Sequence, residues 1–374
     1  MGSTIALSRK GARSIIPASL PHIAKELEDP VSLVPPVLST IVELLILGAV
    51  GFLLRRLAKW PEGFFPALSR LVVTIALPVY LFVTTARTSR NELSSSGIFP
   101  AAAVVLIIVP LALSFGLLRL LRFRGSDLRV GAALGGFGNA GYLPLAVIEI
   151  VQLTEPPLAR LLGGSLPSLY VGAFLLVYSP TLWSAGNLLL TRSGERIRLR
   201  ELVTPPFIGV AVGFLVAISP LQPLMLNEKL PLYAVYRALD LLGDVTFPLV
   251  LITLGAMIGT LRFRERIRPR VVVMAFAVAA VRLIALPGLF FALYAVFLRY
   301  AHLAPAQLWV LFLEATVPPA TNFSVMAGNA TRNEDQTAFT LLVAYALYLV
   351  ALPLLLFAFL SLPGILPPAT LRSG

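Results

Sequence analysis

Long apolar stretches alternate with short polar segments along the whole chain after residue 35. Ten of the stretches reach the ~20 residues that a helix needs to cross the hydrocarbon core of a bilayer. They are residues 36–57, 63–86, 98–121, 130–152, 166–190, 202–221, 236–261, 271–298, 306–330 and 335–360. The pattern predicts an all-α membrane protein with ten transmembrane helices, numbered here as spans 1 to 10. Prolines inside the spans predict kinks at Pro78, Pro248, Pro287 and Pro353.

Two spans contain a segment that disfavours helix. In span 4, five of the ten residues 135–144 are Gly or Pro, and Asn139 adds a side chain that competes for backbone hydrogen bonds. In span 9, residues 317–322 include the pair Pro318 and Pro319. Because an unpaired backbone group in hydrocarbon costs several kcal/mol, such a break requires surrounding protein or a water-lined cavity. Two interrupted spans at matching places in two halves indicate the binding site of a transporter.

The two halves of the chain share short motifs in the same order. Each half opens on a Pro-Pro pair, at 35–36 and 205–206, and then carries Val-Gly-Phe-Leu, at 50–53 and 212–215. Spans 2 and 7 each carry a proline in an apolar run, and spans 4 and 9 carry the breaks. Because five helices recur as five helices, the second copy enters the membrane from the opposite side.

The sequence therefore predicts two inverted five-helix repeats whose broken helices, in spans 4 and 9, cross near the membrane centre. The repeats are residues 36–190 and 202–361, joined by a short cytoplasmic linker at 191–201. A polar N-terminal segment at 1–35 and a C-terminal tail at 362–374 flank them.

Composition and charge agree with a polytopic membrane protein. The chain is 57% hydrophobic and only 13% charged, whereas a soluble domain has about 25% charged residues. The net charge of +12 does not indicate nucleic acid as a partner, because the arginines concentrate in the loops after spans 1, 3, 5 and 7. This bias predicts that those loops are cytoplasmic and both termini non-cytoplasmic. The expected location is the plasma (bacterial inner) membrane or the endoplasmic reticulum membrane.

Catalytic and metal chemistry have little support in the sequence. Cysteine is absent, which excludes thiolate metal sites and disulfides, and the two histidines lie away from the centres of the spans. No His, Asp and Ser constellation lies within the spans. We expect no enzymatic activity, no cofactor and no metal.

The breaks supply the candidate substrate-binding residues. A helix N-terminus carries about +0.5 charge, so a half-helix that starts at each break suits a carboxylate. Pro144 fits the first turn of the second half-helix in span 4, and Pro319 is expected to do the same in span 9. The amides of Asn139 and Asn322 either donate to the substrate or cap freed backbone groups, and both roles are compatible. The predicted set is Asn139, Gly141, Tyr142 (an aromatic wall), Pro144, Pro318, Pro319 and Asn322.

Charged residues inside the spans are costly and indicate function. Arg282 in span 8 and Glu314 in span 9 are predicted to form a structural or gating pair, with proton coupling by Glu314 as the alternative. Glu43 and Glu149 are interpreted as facing the outer interface. The G-x-x-x-G motif at 209–213 is interpreted as a site of close helix packing rather than of dimerisation.

The residues around the breaks resemble a known family. Residues 138–146, Gly-Asn-Ala-Gly-Tyr-Leu-Pro-Leu-Ala, and 317–322, Val-Pro-Pro-Ala-Thr-Asn, are similar to the two crossover motifs of the auxin efflux carrier family, which includes PIN-type and PIN-like carriers. The resemblance covers all ten spans. It implies a scaffold of spans 1, 2, 6 and 7 and a transport unit of spans 3–5 and 8–10. It also implies an elevator-type secondary transporter that exports small organic anions, auxin-like compounds or mono- and dicarboxylates.

Several alternatives stay open at this point. One alternative is a sodium-coupled symporter of the bile-acid type, which shares the fold. Another is a membrane sensor of the same fold that does not transport. The expected partners are a small organic anion and the lipid bilayer, and the scaffold helices permit a homodimer. The short linker favours the bacterial or PIN-like type over plant PIN proteins, which carry a long loop there.

Overall fold

The computed structural model describes residues 34–58, 60–61, 63–190, 203–260, 268–296, 300, 302–328 and 334–365. Within these ranges the regular structure is helical, and no strand is present. Several predicted features lie outside the described residues. They are nearly all of the N-terminal segment, the linker at 191–201, most of the arginine-rich loop after span 7, and the tail beyond 365.

Most of the helices fall on the predicted spans. Numbered in chain order, the helices are α1 (Val34–Leu57), α2 (Phe64–Ala86), α3 (Arg90–Leu120), α4 (Gly125–Gly136), α5 (Tyr142–Thr154), α6 (Pro156–Leu161), α7 (Leu166–Leu190), α8 (Pro205–Ile218), α9 (Leu221–Met225), α10 (Pro231–Gly259), α11 (Pro269–Val296), α12 (Pro305–Thr316), α13 (Asn322–Gly328) and α14 (Glu334–Leu360). The short helices α6 and α9 lie between spans. Seven of them are long and apolar enough to cross a membrane, namely α1, α2, α3, α7, α10, α11 and α14. Two more, α5 and α8, are shorter apolar helices.

The outer surface of this helical assembly is apolar. Large aliphatic side chains such as Ile46, Ile108, Ile284 and Leu354 remain exposed on the long helices. Water would disfavour so much exposed hydrocarbon, whereas lipid tails accept it without cost. The protein is therefore an integral membrane protein built from helices.

Three of the four predicted proline positions coincide with a change in helix geometry. A proline cannot donate to the carbonyl four residues earlier, and its ring also clashes with that carbonyl. For Pro78 and Pro287, the carbonyl four residues earlier lies within a turn of π-helix. These turns are Val72–Ala76 and Val281–Ala285. Regular helix in α10 is interrupted at Val245, directly after the carbonyl that Pro248 would clash with. α14 continues through Pro353 without interruption.

Glycines let two pairs of helices approach backbone to backbone. Between α1 and α10, a Cβ atom added to Gly51 would lie 1.9 Å from the carbonyl oxygen of Ile252. On the same interface, a Cβ atom on Gly255 would lie 1.9 Å from the carbonyl oxygen of Gly48. No side chain fits at either glycine, so these contacts fix how closely the two helices cross.

The second close pair is α2 with α8. A Cβ atom on Gly209 would lie 2.2 Å from the carbonyl oxygen of Pro78, and one on Gly213 would lie 2.7 Å from that of Phe82. Both glycines of the G-x-x-x-G motif thus contact another helix of the same chain. This confirms the interpretation of the motif as a site of close packing.

Candidate functional site

Both predicted breaks are present as short extended segments between helices. In span 4, α4 ends at Gly136 and α5 begins at Tyr142, and Phe137 between them has extended backbone angles. In span 9, α12 ends at Thr316 and α13 begins at Asn322, with Val317 extended. The Gly, Asn and Pro residues that predicted weak helix therefore occupy the places where helix stops.

Backbone hydrogen bonds join the two breaks directly. The N–H of Asn139 donates to the carbonyl oxygen of Pro318 at 2.8 Å, and the N–H of Ala320 donates to that of Phe137 at 3.0 Å. Together the bonds form an isolated antiparallel bridge in which Gly138 lies opposite Pro319. The bridge supplies partners to four backbone groups that would otherwise be unpaired within the apolar interior.

The position of Pro319 differs from the prediction. Pro319 was expected in the first turn of a half-helix, but α13 begins only at Asn322 and Pro319 lies in the bridge. In an antiparallel pair, the residues of a non-hydrogen-bonded pair need no N–H group toward the partner strand. Because Gly138 and Pro319 form such a pair, the missing N–H of Pro319 costs nothing there. Pro144 is the third residue of α5, so its predicted place in the first turn is confirmed.

Two tyrosines bind the carbonyl groups that point away from the bridge. The hydroxyl of Tyr178 on α7 donates to the carbonyl oxygen of Gly138 at 2.7 Å. The hydroxyl of Tyr345 on α14 donates to the carbonyl oxygen of Pro319 at 3.2 Å and accepts from the Asn139 amide at 2.7 Å. Each half of the bridge is thus held by one tyrosine from a long helix.

Arg282 approaches the bridge from α11. Its Nε donates to the carbonyl oxygen of Val317 at 2.9 Å, and the side chain is 2% exposed. A Cβ atom on Gly138 would lie 1.5 Å from a terminal nitrogen of Arg282, so glycine is needed at 138 to admit the guanidinium. The positive charge of Arg282 is therefore held in contact with both breaks, at Gly138 and Val317.

Glu314 is buried near Arg282 without touching it. The carboxylate is 3% exposed, and neither oxygen has a hydrogen-bond partner within the part of the chain that the structure describes. The two charges are close enough to interact electrostatically, but they form no ion pair within 4.0 Å. The structural or gating role predicted for Arg282 and Glu314 thus has no direct contact in this conformation and stays a prediction.

A cleft lies against the bridge. It contains about 450 Å³ of empty space including its open mouth, and its walls come from both breaks, α2, α7 and the start of α8. The breaks contribute Gly138, Asn139, Ala140, Gly141, Tyr142, Ala320 and Asn322, and the long helices contribute Val73, Leu77, Leu175, Tyr178, Ser179, Leu182, Trp183 and Pro206. A mostly apolar cleft with a few polar groups is typical of a small-molecule site.

The predicted site residues fall into two groups. Asn139, Gly141, Tyr142 and Asn322 line the cleft, whereas the three prolines of the predicted set are buried and do not line it. Among residues with described positions, the side-chain amide of Asn322 has no hydrogen-bond partner, while one of the two N–H groups of the Asn139 amide donates to the hydroxyl of Tyr345. The whole Asn322 amide is therefore available to a ligand, and the Asn139 amide keeps one N–H.

Several residues of the site were not identified from the sequence. Tyr178 and Tyr345 hold the bridge, and Leu175 and Trp183 form one wall of the cleft. A tyrosine inside an apolar span is a signal for such a role, because a hydroxyl buried in a membrane span needs a polar partner.

Glu149 lies at the other end of α5 from Tyr142. Its carboxylate accepts hydrogen bonds from the hydroxyl of Tyr80 on α2 and from Ser168 on α7, the latter at 3.4 Å. Ser39 on α1 donates to Glu155 at 2.9 Å in the same region. The Glu149 carboxylate thus connects α5 with α2 and α7, and its position at the outer interface stays a prediction.

Comparison with known proteins identifies the family. A family model described as a membrane transport protein matches residues 36–201 and 189–356. The chain is 34% identical over 158 residues to Protein PIN-LIKES 5 and 32% identical over 168 residues to Protein PIN-LIKES 7, both of Arabidopsis thaliana. These alignments cover 41% and 44% of this chain but only 39% and 42% of the relatives.

A bacterial relative aligns over a longer stretch. The chain is 24% identical over 328 residues to a putative malonate transporter of Rhizobium meliloti, and the alignment covers 85% of this chain and 93% of that protein. Together with the two segments of the family model, which span most of the helices, the match is to membrane transporters and not to enzymes. The chain belongs to the auxin efflux carrier family of membrane transport proteins.

Proposed function

We propose that this protein is a secondary carrier that exports small organic anions, with mono- or dicarboxylates as the substrate class. The observation that carries the proposal is the cleft at the hydrogen-bonded breaks. It brings an unpaired amide, the start of α5 and a buried guanidinium to one place in the membrane interior. The relative named as a putative malonate transporter supports a small carboxylate as the first substrate to test.

The chemistry of the cleft suits an anion. No acidic side chain is among the described residues that line it, and Arg282 contacts the break at Gly138. The start of α5, a helix of 13 residues, adds partial positive charge and has no side-chain cap. A carboxylate held there would accept from the Asn322 amide, and its apolar part would contact Leu175, Leu182 and Trp183.

The contacts of the glycines support a ten-span inverted repeat. Gly51 and Gly213 occupy the same place in the repeated Val-Gly-Phe-Leu motif. Gly51 contacts Ile252, four residues after Pro248, and Gly213 contacts Phe82, four residues after Pro78. The two contacts thus agree in register, as two copies related by a two-fold axis in the membrane plane require. In this proposal spans 4 and 9 are the crossing, broken helices.

The position of the cleft supports an elevator-type movement. One wall comes from α2 and α8, which belong to the proposed scaffold of spans 1, 2, 6 and 7. The opposite wall comes from the breaks and α7, which belong to the proposed transport unit of spans 3–5 and 8–10. A site on the boundary between two rigid bodies becomes accessible from either side when one slides against the other.

The central test is transport by the purified protein in liposomes. We expect flux of labelled malonate or a labelled monocarboxylate above that of empty liposomes. Asn322→Ala should lower apparent affinity about 10- to 100-fold with unchanged thermal stability, because a hydrogen bond to a charged group contributes ~1.5–3 kcal/mol. Asn91→Ala, on the exposed start of α3, is the matched control and should behave as the unmodified protein. Specific binding without flux would instead favour a sensor.

Glu314 is the proposed coupling residue, with Arg282 as its partner. Protonation of the buried carboxylate would leave the charge of Arg282 free to attract the substrate anion, so that proton and anion move together. Glu314→Gln is therefore expected to abolish uptake driven by a pH gradient, while exchange of labelled for unlabelled substrate continues. Loss of both activities in a stably folded variant would contradict this role.

Sodium coupling is tested in the same liposomes. We expect that replacing sodium by potassium leaves flux unchanged. A strict requirement for sodium would identify a symporter of the bile-acid type instead.

A further inference from the structure

A second cavity adjoins the cleft on the far side of Tyr142. It contains about 200 Å³ of empty space including its open mouth. Its walls are Ser69 and Val72 on α2, Val250, Thr253, Leu254 and Met257 on α10, and Tyr142 and Thr321 at the breaks. The exposed surface of this lining is mainly apolar, although Ser69, Thr253, Thr321 and Tyr142 carry hydroxyl groups.

The two cavities share their dividing wall. Tyr142 lines both of them. Two pairs of neighbouring residues are also split between the cavities. On α2, Val73 lines the cleft and Val72 lines the second cavity. At the break in span 9, Asn322 lines the cleft and Thr321 lines the second cavity. The ring of Tyr142 therefore stands between the cleft and the second cavity.

The ring is held by packing alone. Tyr142 is half-buried, and its hydroxyl makes no hydrogen bond within the described part of the chain. Its backbone, by contrast, is fixed as the first residue of α5, next to the bridge. A change of this side chain would therefore alter the shape of the site without removing a polar contact of the breaks.

We infer that Tyr142 determines which anions the carrier accepts, by separating the carboxylate-binding cleft from an apolar cavity that would hold a longer aliphatic chain. The inference rests on the proposed function, because it assumes that the carboxylate binds in the cleft. With the ring in place, a short anion fills the site and a longer chain meets the ring. Without the ring, the two cavities join, and the chain of a longer carboxylate enters the space between α2 and α10.

Equilibrium binding of linear monocarboxylates from acetate to hexanoate tests this, with detergent micelles alone as the blank. For the unmodified protein we expect affinity to stop rising at a short chain length. For Tyr142→Ala it should continue to rise, by about fourfold for each added methylene that becomes buried. Tyr142→Phe should keep the original preference, because it keeps the ring.

Two further variants separate this role from a general loss of structure. Tyr236→Ala removes a buried aromatic ring that lines neither cavity, so the chain-length preference should not move. Leu254→Phe in the Tyr142→Ala background fills the second cavity and should cancel the gain for long chains. If Tyr142→Ala does not fold, Tyr142→Val takes its place in both comparisons.

The possible results are distinct. An unchanged chain-length preference in a folded Tyr142→Ala protein that still binds acetate would overturn the inference and leave the proposed function intact. A gain for long chains that persists after Leu254→Phe would also overturn it. Binding of no carboxylate by any of these proteins would overturn the proposed function and this inference with it.

Discussion

At the scale of single residues, the two breaks are held by side chains that reach them from three other helices. Tyr178, Tyr345 and Arg282 each donate to a carbonyl group of the breaks. Because no water or lipid donor is needed at these oxygens, the irregular backbone is stable in the membrane interior. Asn139, in the break of span 4, also helps to hold Tyr345 in place, because its amide donates to the hydroxyl of Tyr345.

Replacement of Tyr345 by Phe removes one hydroxyl that makes two hydrogen bonds. We expect Tyr345→Phe to lower the free energy of unfolding by ~1–3 kcal/mol, the usual cost of leaving a buried polar group unpaired. Thermal unfolding followed by size-exclusion chromatography measures this change. Tyr348→Phe is the matched control, because that tyrosine lies buried in the same helix and its hydroxyl has no partner among the described residues. Equal losses from both variants would contradict the role assigned to Tyr345.

At the scale of helices, glycine determines how closely the proposed scaffold packs. The two pairs α1 with α10 and α2 with α8 meet at glycines where a side chain would collide with backbone atoms. Helix association in lipid lacks a hydrophobic driving force, so close van der Waals contact of this kind is one of the main sources of stabilisation.

Gly51 and Gly48 in α1 offer a direct test of this packing. A Cβ atom on Gly51 would collide with the backbone of Ile252, whereas one on Gly48 would meet nothing within 4 Å. We expect Gly51→Ala to destabilise the protein by ~1–3 kcal/mol or more, as overpacking does. Gly48→Ala should be neutral or slightly stabilising, because alanine favours helix over glycine. A thermal unfolding midpoint that falls equally in both variants would show that the helix crossing does not depend on Gly51.

At the scale of the whole molecule, polar contacts and the cleft lie at different places along the boundary between the two proposed units. The cleft lies beside Val73 and Leu77 of α2, and the contact of Glu149 with Tyr80 lies further along the same helix. Hydrogen bonds of Glu149 and Glu155 thus join the two units near one end of the boundary, and the cleft separates them near the other end. Movement of one unit against the other must break the contacts of Glu149 and Glu155.

Cross-linking across this boundary tests the elevator-type movement, and the absence of cysteine from the chain removes any background. A Cβ atom on Gly172 of α7 would lie 3.4 Å from Cγ2 of Val210 on α8, so the double variant Gly172→Cys/Val210→Cys brings two thiols close together. We expect oxidation to stop flux and a reductant to restore it. The pair Arg55→Cys/Gly259→Cys lies within the proposed scaffold, where the Cβ atoms would be 3.2 Å apart, and its oxidation should leave flux unchanged. Full flux through the oxidised boundary pair would exclude a sliding movement there.

The sequence by itself determined the membrane-spanning helices, the places where two of them break, and the family. These follow from local properties, namely the length of apolar runs, the low helix propensity of Gly, Pro and Asn, and short motifs. The sequence also placed Asn139, Gly141, Tyr142 and Asn322 at the site, because they are next to the breaks.

Only the tertiary structure decided how the breaks are stabilised and which residues face the cleft. Tyr178, Tyr345 and Trp183 come from helices whose rotation about their own axes depends on packing against distant segments. The same dependence explains why Glu149 binds Tyr80, and why Pro319 lies in a bridge rather than in a helix. A hydrophobic run fixes that a helix forms, but the direction of each side chain is set by contacts between helices that local sequence does not contain.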